Sequence, residues 1–152
     1  MDSKLLKQEL FLRCIQFVDQ RIANAQSALT SAREAANSEE KSSAGDKYET
    51  GRAMAQIEQE KANQQLEEAT KLKSALQKIN PELSSLKAGP GSIVLTDKTH
   101  FFLAISAGKM EVYGKTFFVI APTTPIGMQI NGLKKGESFT FNQQAHRIVE
   151  II

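Results

Sequence analysis

The sequence predicts an α+β protein, an N-terminal antiparallel helical hairpin followed by a small β-rich domain, and three observations predict it. Residues 1–90 hold Pro81 as the only proline before the boundary Pro90 and are rich in Ala, Gln, Glu and Lys, which is helix composition. From residue 91 the chain turns to β-branched and aromatic runs punctuated by glycine, which is sheet composition. Between the two, Lys87-Ala88-Gly89-Pro90-Gly91 gathers the breakers of a linker. The expected organisation is a coiled-coil hairpin over 1–86 with its tip near 38–50, a linker over 87–91 and a second domain over 92–152.

The first helix is read from Phe11, Ile15, Val18, Ile22, Ala25, Leu29, Ala32 and Ala36, whose spacings alternate between 4 and 3 and so share one face of a helix from about residue 5 to 37. Ala55, Glu58, Ala62, Gln65, Ala69, Leu72, Leu76 and Ile79 repeat the rhythm in a second helix. Both series are rich in Ala toward the turn, which suits antiparallel helices that approach closely there. The turn falls in 37–51, where the apolar rhythm stops and Ser and Gly accumulate.

In the second half, strands are expected at Ser92 to Thr96, Phe101 to Ala107, Thr116 to Ile120, Glu137 to Phe141 and His146 to Ile152, the last two joined by a turn at Asn142-Gln143-Gln144. One short helix is expected after Thr123-Thr124, with Thr as N-cap, Pro125 at the first helical position and Gly132 closing it.

Composition excludes several classes. The chain has 152 residues and a net charge of +2, too balanced for nucleic-acid affinity driven by bulk charge, so DNA binding as such is not expected. Cys14 stands alone, which excludes an internal disulfide, and with two His no structural zinc cluster is legible. No stretch approaches the apolar length of a membrane span, and the start lacks an export signal, so a cytoplasmic protein without membrane attachment is expected.

The chemistry-bearing residues cluster at the tip. Asp46 and Glu49 are three apart, so a helix starting near Gly45 brings them out on one side, where they can share one hard cation. Magnesium takes only one or two protein carboxylates and keeps its waters, so such a pair needs further ligands from a partner. The same two residues also suit a plain helix start, Asp46 as cap and Glu49 returning to it.

Gly45-Asp46-Lys47-Tyr48-Glu49 at a hairpin tip, and Pro122-Thr123-Thr124-Pro125-Ile126-Gly127 through Gly132-Leu133-Lys134-Lys135-Gly136-Glu137, carry a resemblance to the Gre transcript-cleavage factors of bacterial RNA polymerase. The closing Arg147-Ile148-Val149-Glu150-Ile151 is similar to that family's last strand. With average residue usage, Gly-Asp-x-x-Glu arises by chance within a ten-position tip about 0.3% of the time. The chain departs from the family pattern at Thr50, Thr123 and Met128. The resemblance implies an FKBP-like C-terminal domain and a bacterial, cytoplasmic accessory factor of transcription elongation that is not itself an enzyme. It implies that Asp46 and Glu49 enter the polymerase secondary channel and share the polymerase's magnesium, none being held stably by the chain alone. Backtracked RNA would then be cleaved near its 3′ end, which the factor meets indirectly. By the same resemblance Thr124, Pro125 and Ile126 would grip the polymerase.

Three other readings stand beside it: a secondary-channel regulator that does not promote cleavage, a peptidyl-prolyl isomerase and a purely structural hairpin. An isomerase needs a deep aromatic pocket, and the C-terminal half has no Trp and only Tyr113 as tyrosine. Glu39 and Glu40 read as a solvated acidic surface. Lys41, Lys47 and Arg52 suit phosphate contacts or the balancing of neighbouring acids equally. His100 and His146 read as strand residues, and Cys14, beside the seam with no basic cluster, as an inert thiol.

Overall fold

The computed structural model describes the backbone of residues 2–41 and 45–152, and the side chains of residues 2–38 and 50–152. Element order is α1 (Ser3–Lys41), α2 (Gly45–Gln77), β1 (Ile93–Thr96), β2 (His100–Leu103), β3 (Gly108–Val112), β4 (Lys115–Ile120), α3 (Pro125–Ile130), β5 (Ser138–Phe141) and β6 (Gln144–Ile151). This is an α+β protein, with two long helices followed by a six-stranded mixed sheet. The chain forms two compact units, Val18–Lys73 and a second made of Met1–Phe17 with Ser74–Ile152.

In the Val18–Lys73 unit the two helices pack antiparallel. Arg21, Asn24 and Ala25 share one groove with Gln65, Glu68 and Ala69, whereas Ala28, Ser31, Ala32 and Ala35, further along α1, meet the earlier Gly51, Met54, Ala55 and Glu58 of α2. Asp19 and Lys73 join across the helices at 2.8 Å. The buried seam is Val18, Ala25, Leu29 and Ala32 against Ala55, Ala62 and Ala69. On α2 one residue in seven is buried and the intervening Glu58 and Gln65 are exposed, so the rhythm expected there is half as dense. Both helices extend into the stretch expected to be turn, since Asn37–Lys41 and Gly45–Gly51 are helical. Glu39, Glu40, Lys41, Lys47 and Glu49, all good helix formers, suit helix there although no apolar stripe does.

In the other unit, Asp2 caps α1 by accepting the Lys4 N–H at 2.9 Å. Leu6, Leu10 and Cys14 are buried on that helix, while Phe11 and Ile15, expected on the seam, are half-buried. Strand order is β3-β4-β2-β1-β6-β5, with β2 and β4 parallel and every other pair antiparallel. Register aligns Val94, Phe101 and Phe118 on one face of the sheet and Ile93, Phe102 and Val119 on the other. Ile93, Val94, Phe101 and Phe102 are completely buried, which is why the central strands read as unbroken apolar runs.

The first face holds a core of Val94, Phe101, Leu103, Ile130, Phe139 and Ile148, with Ile126 and Phe141 packed onto it. Residues 87–91 are tied into this unit: Ala88 donates to the Leu133 carbonyl, and Gly132 donates to that of Ala88. Gly91 has φ +88°, and a Cβ there would lie 2.8 Å from Ile79 Cγ2, so a larger residue is strained in its backbone and must displace the Ile79 side chain. Two expectations change. The strand expected over Phe101–Ala107 ends at Leu103, and an unexpected edge strand, β3, follows at Gly108–Val112. The last hairpin turns on Asn142 and Gln143 alone, both at positive φ, and Gln144 already belongs to β6.

Candidate functional site

Asp46 is the second and Glu49 the fifth residue of α2, which begins at Gly45. Three residues along a helix correspond to about 300° of rotation, so the two positions lie on neighbouring sides of the same turn. Their side chains, with those of Glu39, Glu40, Lys41 and Lys47, lie outside the described residues. As donors, two carboxylates at this spacing suit a hard cation such as magnesium, provided that other ligands complete the shell. Among the described residues no group of three or more His, Cys, Asp or Glu is placed to hold a metal ion.

Next along the hairpin is an apolar groove of about 510 Å³ lined by Ala28, Ala32, Ala35, Gly51, Met54 and Ala55 among others, with Met54 62% exposed. Small side chains account for it: alanines on both helices leave little to fill the space over the seam.

The other expected site residues open α3. Thr124 is the N-cap: its Oγ1 accepts from the Gly127 N–H at 3.2 Å and donates to the Ala121 carbonyl at 2.7 Å. Pro125 occupies the first turn, where no N–H is required, and is exposed. Ile126 packs onto the aromatic core. Gly127 is fixed by space, because a Cβ there would sit 2.1 Å from the Ala121 carbonyl oxygen. Of the three, Thr124 and Ile126 therefore have structural work, and Pro125 with the 63%-exposed Met128 forms the outer surface of this short helix.

The remaining expected residues behave as structural groups. Cys14 is completely buried, and burial pushes its thiol up to about 12, so it carries no thiolate near neutral pH. His146 stacks on Phe139 with centroids 5.5 Å apart and meets Phe101 edge-on. His100 is half-buried in β2, and burial, with the nearby Lys115 charge second, lowers its pKa. Sequence reasoning missed Lys7, only 4% exposed, whose Nζ donates to the Leu83 carbonyl at 2.6 Å. Its position three before Leu10 and seven before Cys14 is the signal that it shares their buried face. Burial lowers its pKa from the ordinary lysine value.

Compared with protein-family models, curated proteins and solved structures, the chain matches none. Among the described residues no helix is long and apolar enough to cross a membrane.

Proposed function

We propose that this chain is a Gre-like transcription elongation factor, an accessory protein that binds bacterial RNA polymerase, inserts its hairpin tip into the secondary channel and stimulates cleavage of backtracked RNA. The observation that carries the reading is the coincidence of motif and element: Gly45-Asp46-x-x-Glu49 opens α2, the second helix of the hairpin. A carboxylate pair there, at the end of two long helices, is suited to delivery into a narrow channel and poorly suited to forming a complete site alone. The exposed Pro125 that opens α3 supports the second contact, with the rim of that channel.

On this reading Asp46 and Glu49 each offer a carboxylate to magnesium shared with the polymerase. Magnesium so held supplies charge stabilisation for the attacking and leaving oxygens of phosphodiester hydrolysis. The chain contributes the two acids and the reach of its hairpin, and the polymerase contributes the active site. The setting that follows is the bacterial cytoplasm. Thr50, Thr123 and Met128, where the chain departs from the Gre pattern, favour one second reading, a secondary-channel regulator without cleavage.

A stalled, backtracked elongation complex with magnesium separates the two. Release of short 3′ RNA fragments on adding the protein, lost in Asp46→Ala and Glu49→Ala while binding persists, is the expected result. Binding without fragments favours the regulator, and no binding overturns both.

A further inference from the structure

The parallel pairing of β2 with β4 sets two similar segments at one end of the sheet. Lys98-Thr99-His100-Phe101 leads into β2, Lys115-Thr116-Phe117-Phe118 opens β4, and the register matches His100 with Phe117 and Phe101 with Phe118. Because parallel strands begin at the same end, the two Lys-Thr pairs converge. With His100 and Phe118 they line a shallow cavity of about 290 Å³ that contains no carboxylate.

Lys98 and the bend that carries it are held in place. Lys98 Nζ donates to the Ala145 carbonyl at 2.6 Å, which leaves two of its N–H groups for another acceptor. The bend before β2 is pinned by Thr96 Oγ1, which accepts from the N–H groups of Lys98 at 3.1 Å and Thr99 at 2.8 Å. Lys109 adds a third positive charge nearby, its Nζ 5.3 Å from the centroid of the Phe118 ring.

No carboxylate lines the cavity itself. Neither Lys98 nor Lys115 pairs with a described acid. Asp97, next to Lys98 in the chain, accepts the Arg147 backbone N–H at 3.0 Å, and neither it nor Glu111, opposite Thr116 in the register, lines the cavity. His100 Nδ1 is buried with no hydrogen-bond partner. A cavity lined by two lysines and two threonine hydroxyls, with no carboxylate in its lining, suits an anion.

We infer that this cavity binds a phosphate monoester dianion, with the ammonium groups of Lys98 and Lys115 and the hydroxyls of Thr99 and Thr116 as donors and Phe118 as an apolar wall. Two lysines lining one cavity match a doubly charged, compact anion better than a monoanionic carboxylate. The small cavity and the chain's net charge of +2 also argue against an extended polyanion.

The test uses the full chain, whose two histidines, His100 and His146, are separate NMR reporters. Inorganic phosphate added at constant ionic strength is expected to displace the His100 ring signals saturably and leave those of His146 in place. Lys115→Ala weakens the response by about tenfold or more, the scale of a lost charge-assisted hydrogen bond, while Lys115→Arg retains it. Unmoved His146 signals in both variants verify the fold. The inference is overturned if sodium chloride reproduces the shift, if Lys115→Ala responds like the wild type, or if phosphate leaves His100 unmoved. A short RNA lacking terminal phosphates that moves His100 when phosphate does not also overturns it.

Discussion

The helical unit and the sheet unit achieve order by opposite means. Between Val18 and Lys73 the seam is built largely of alanine, with Val18 and Leu29 as its larger buried members. Small side chains let two helices approach closely but bury little apolar area per residue, so the arrangement depends on keeping the seam small. The sheet unit buries Phe101, Phe102 and Phe117 completely and surrounds Phe101 with Phe118, Phe139, Phe141 and His146. The comparison separates two jobs: the alanine seam sets how close the helices lie, and the aromatic core supplies cohesion.

Substitutions that exchange the two logics test this. Phe101→Ala removes the ring on which four aromatic contacts converge and is expected to cost about 3–5 kcal/mol in urea unfolding, the largest single effect. Gly127→Ala, at the close approach to the Ala121 carbonyl, is expected to destabilise the sheet unit by about 1–3 kcal/mol, since backbone rather than a movable side chain must give way. Ala62→Leu, which would be harmless on an exposed helix face, is expected to cost about 1–3 kcal/mol by forcing the helices apart. A wild-type melting curve for Ala62→Leu would show that the seam does not depend on small residues. Thr124→Ala should cost about 1 kcal/mol through loss of the α3 cap.

Lys7 gives a pH-dependent form of the same comparison, a polar group inside an apolar packing face. Its folded pKa lies below the unfolded value of 10.5, so above the folded value the unfolded chain binds more protons than the native one. Stability contributed by this group therefore rises with pH between the lowered folded pKa and about 10.5. In urea titrations across that window the wild type should gain on Lys7→Met as pH rises, and a constant difference would contradict the burial argument.

How far the sequence discloses these features depends on what each one rests upon. The helices and the central strands are visible because periodicity and unbroken β-branched and aromatic runs record burial directly. The α3 start is visible because Thr124 and Pro125 satisfy local rules that need no distant partner. Edge strand β3 is hidden in Gly-Lys-Met-Glu-Val because an edge with one solvated side carries no apolar run. Lys7 is concealed by its residue type, since burial of its ammonium depends on a carbonyl supplied 76 residues away. The two Lys-Thr segments are plain to read, yet nothing local says that parallel pairing brings them together. The acid motif is legible as a pattern, and its position at the start of α2 agrees with the helix start expected near Gly45.

The most direct test of the proposed role is the magnesium dependence of RNA cleavage in a backtracked polymerase complex saturated with the protein. If Asp46 and Glu49 act as ligands, Asp46→Asn should raise the magnesium concentration required for half-maximal cleavage, with activity recovering at high magnesium and polymerase binding unchanged. An Asp46→Asn protein with the wild-type magnesium profile and cleavage rate would contradict the account.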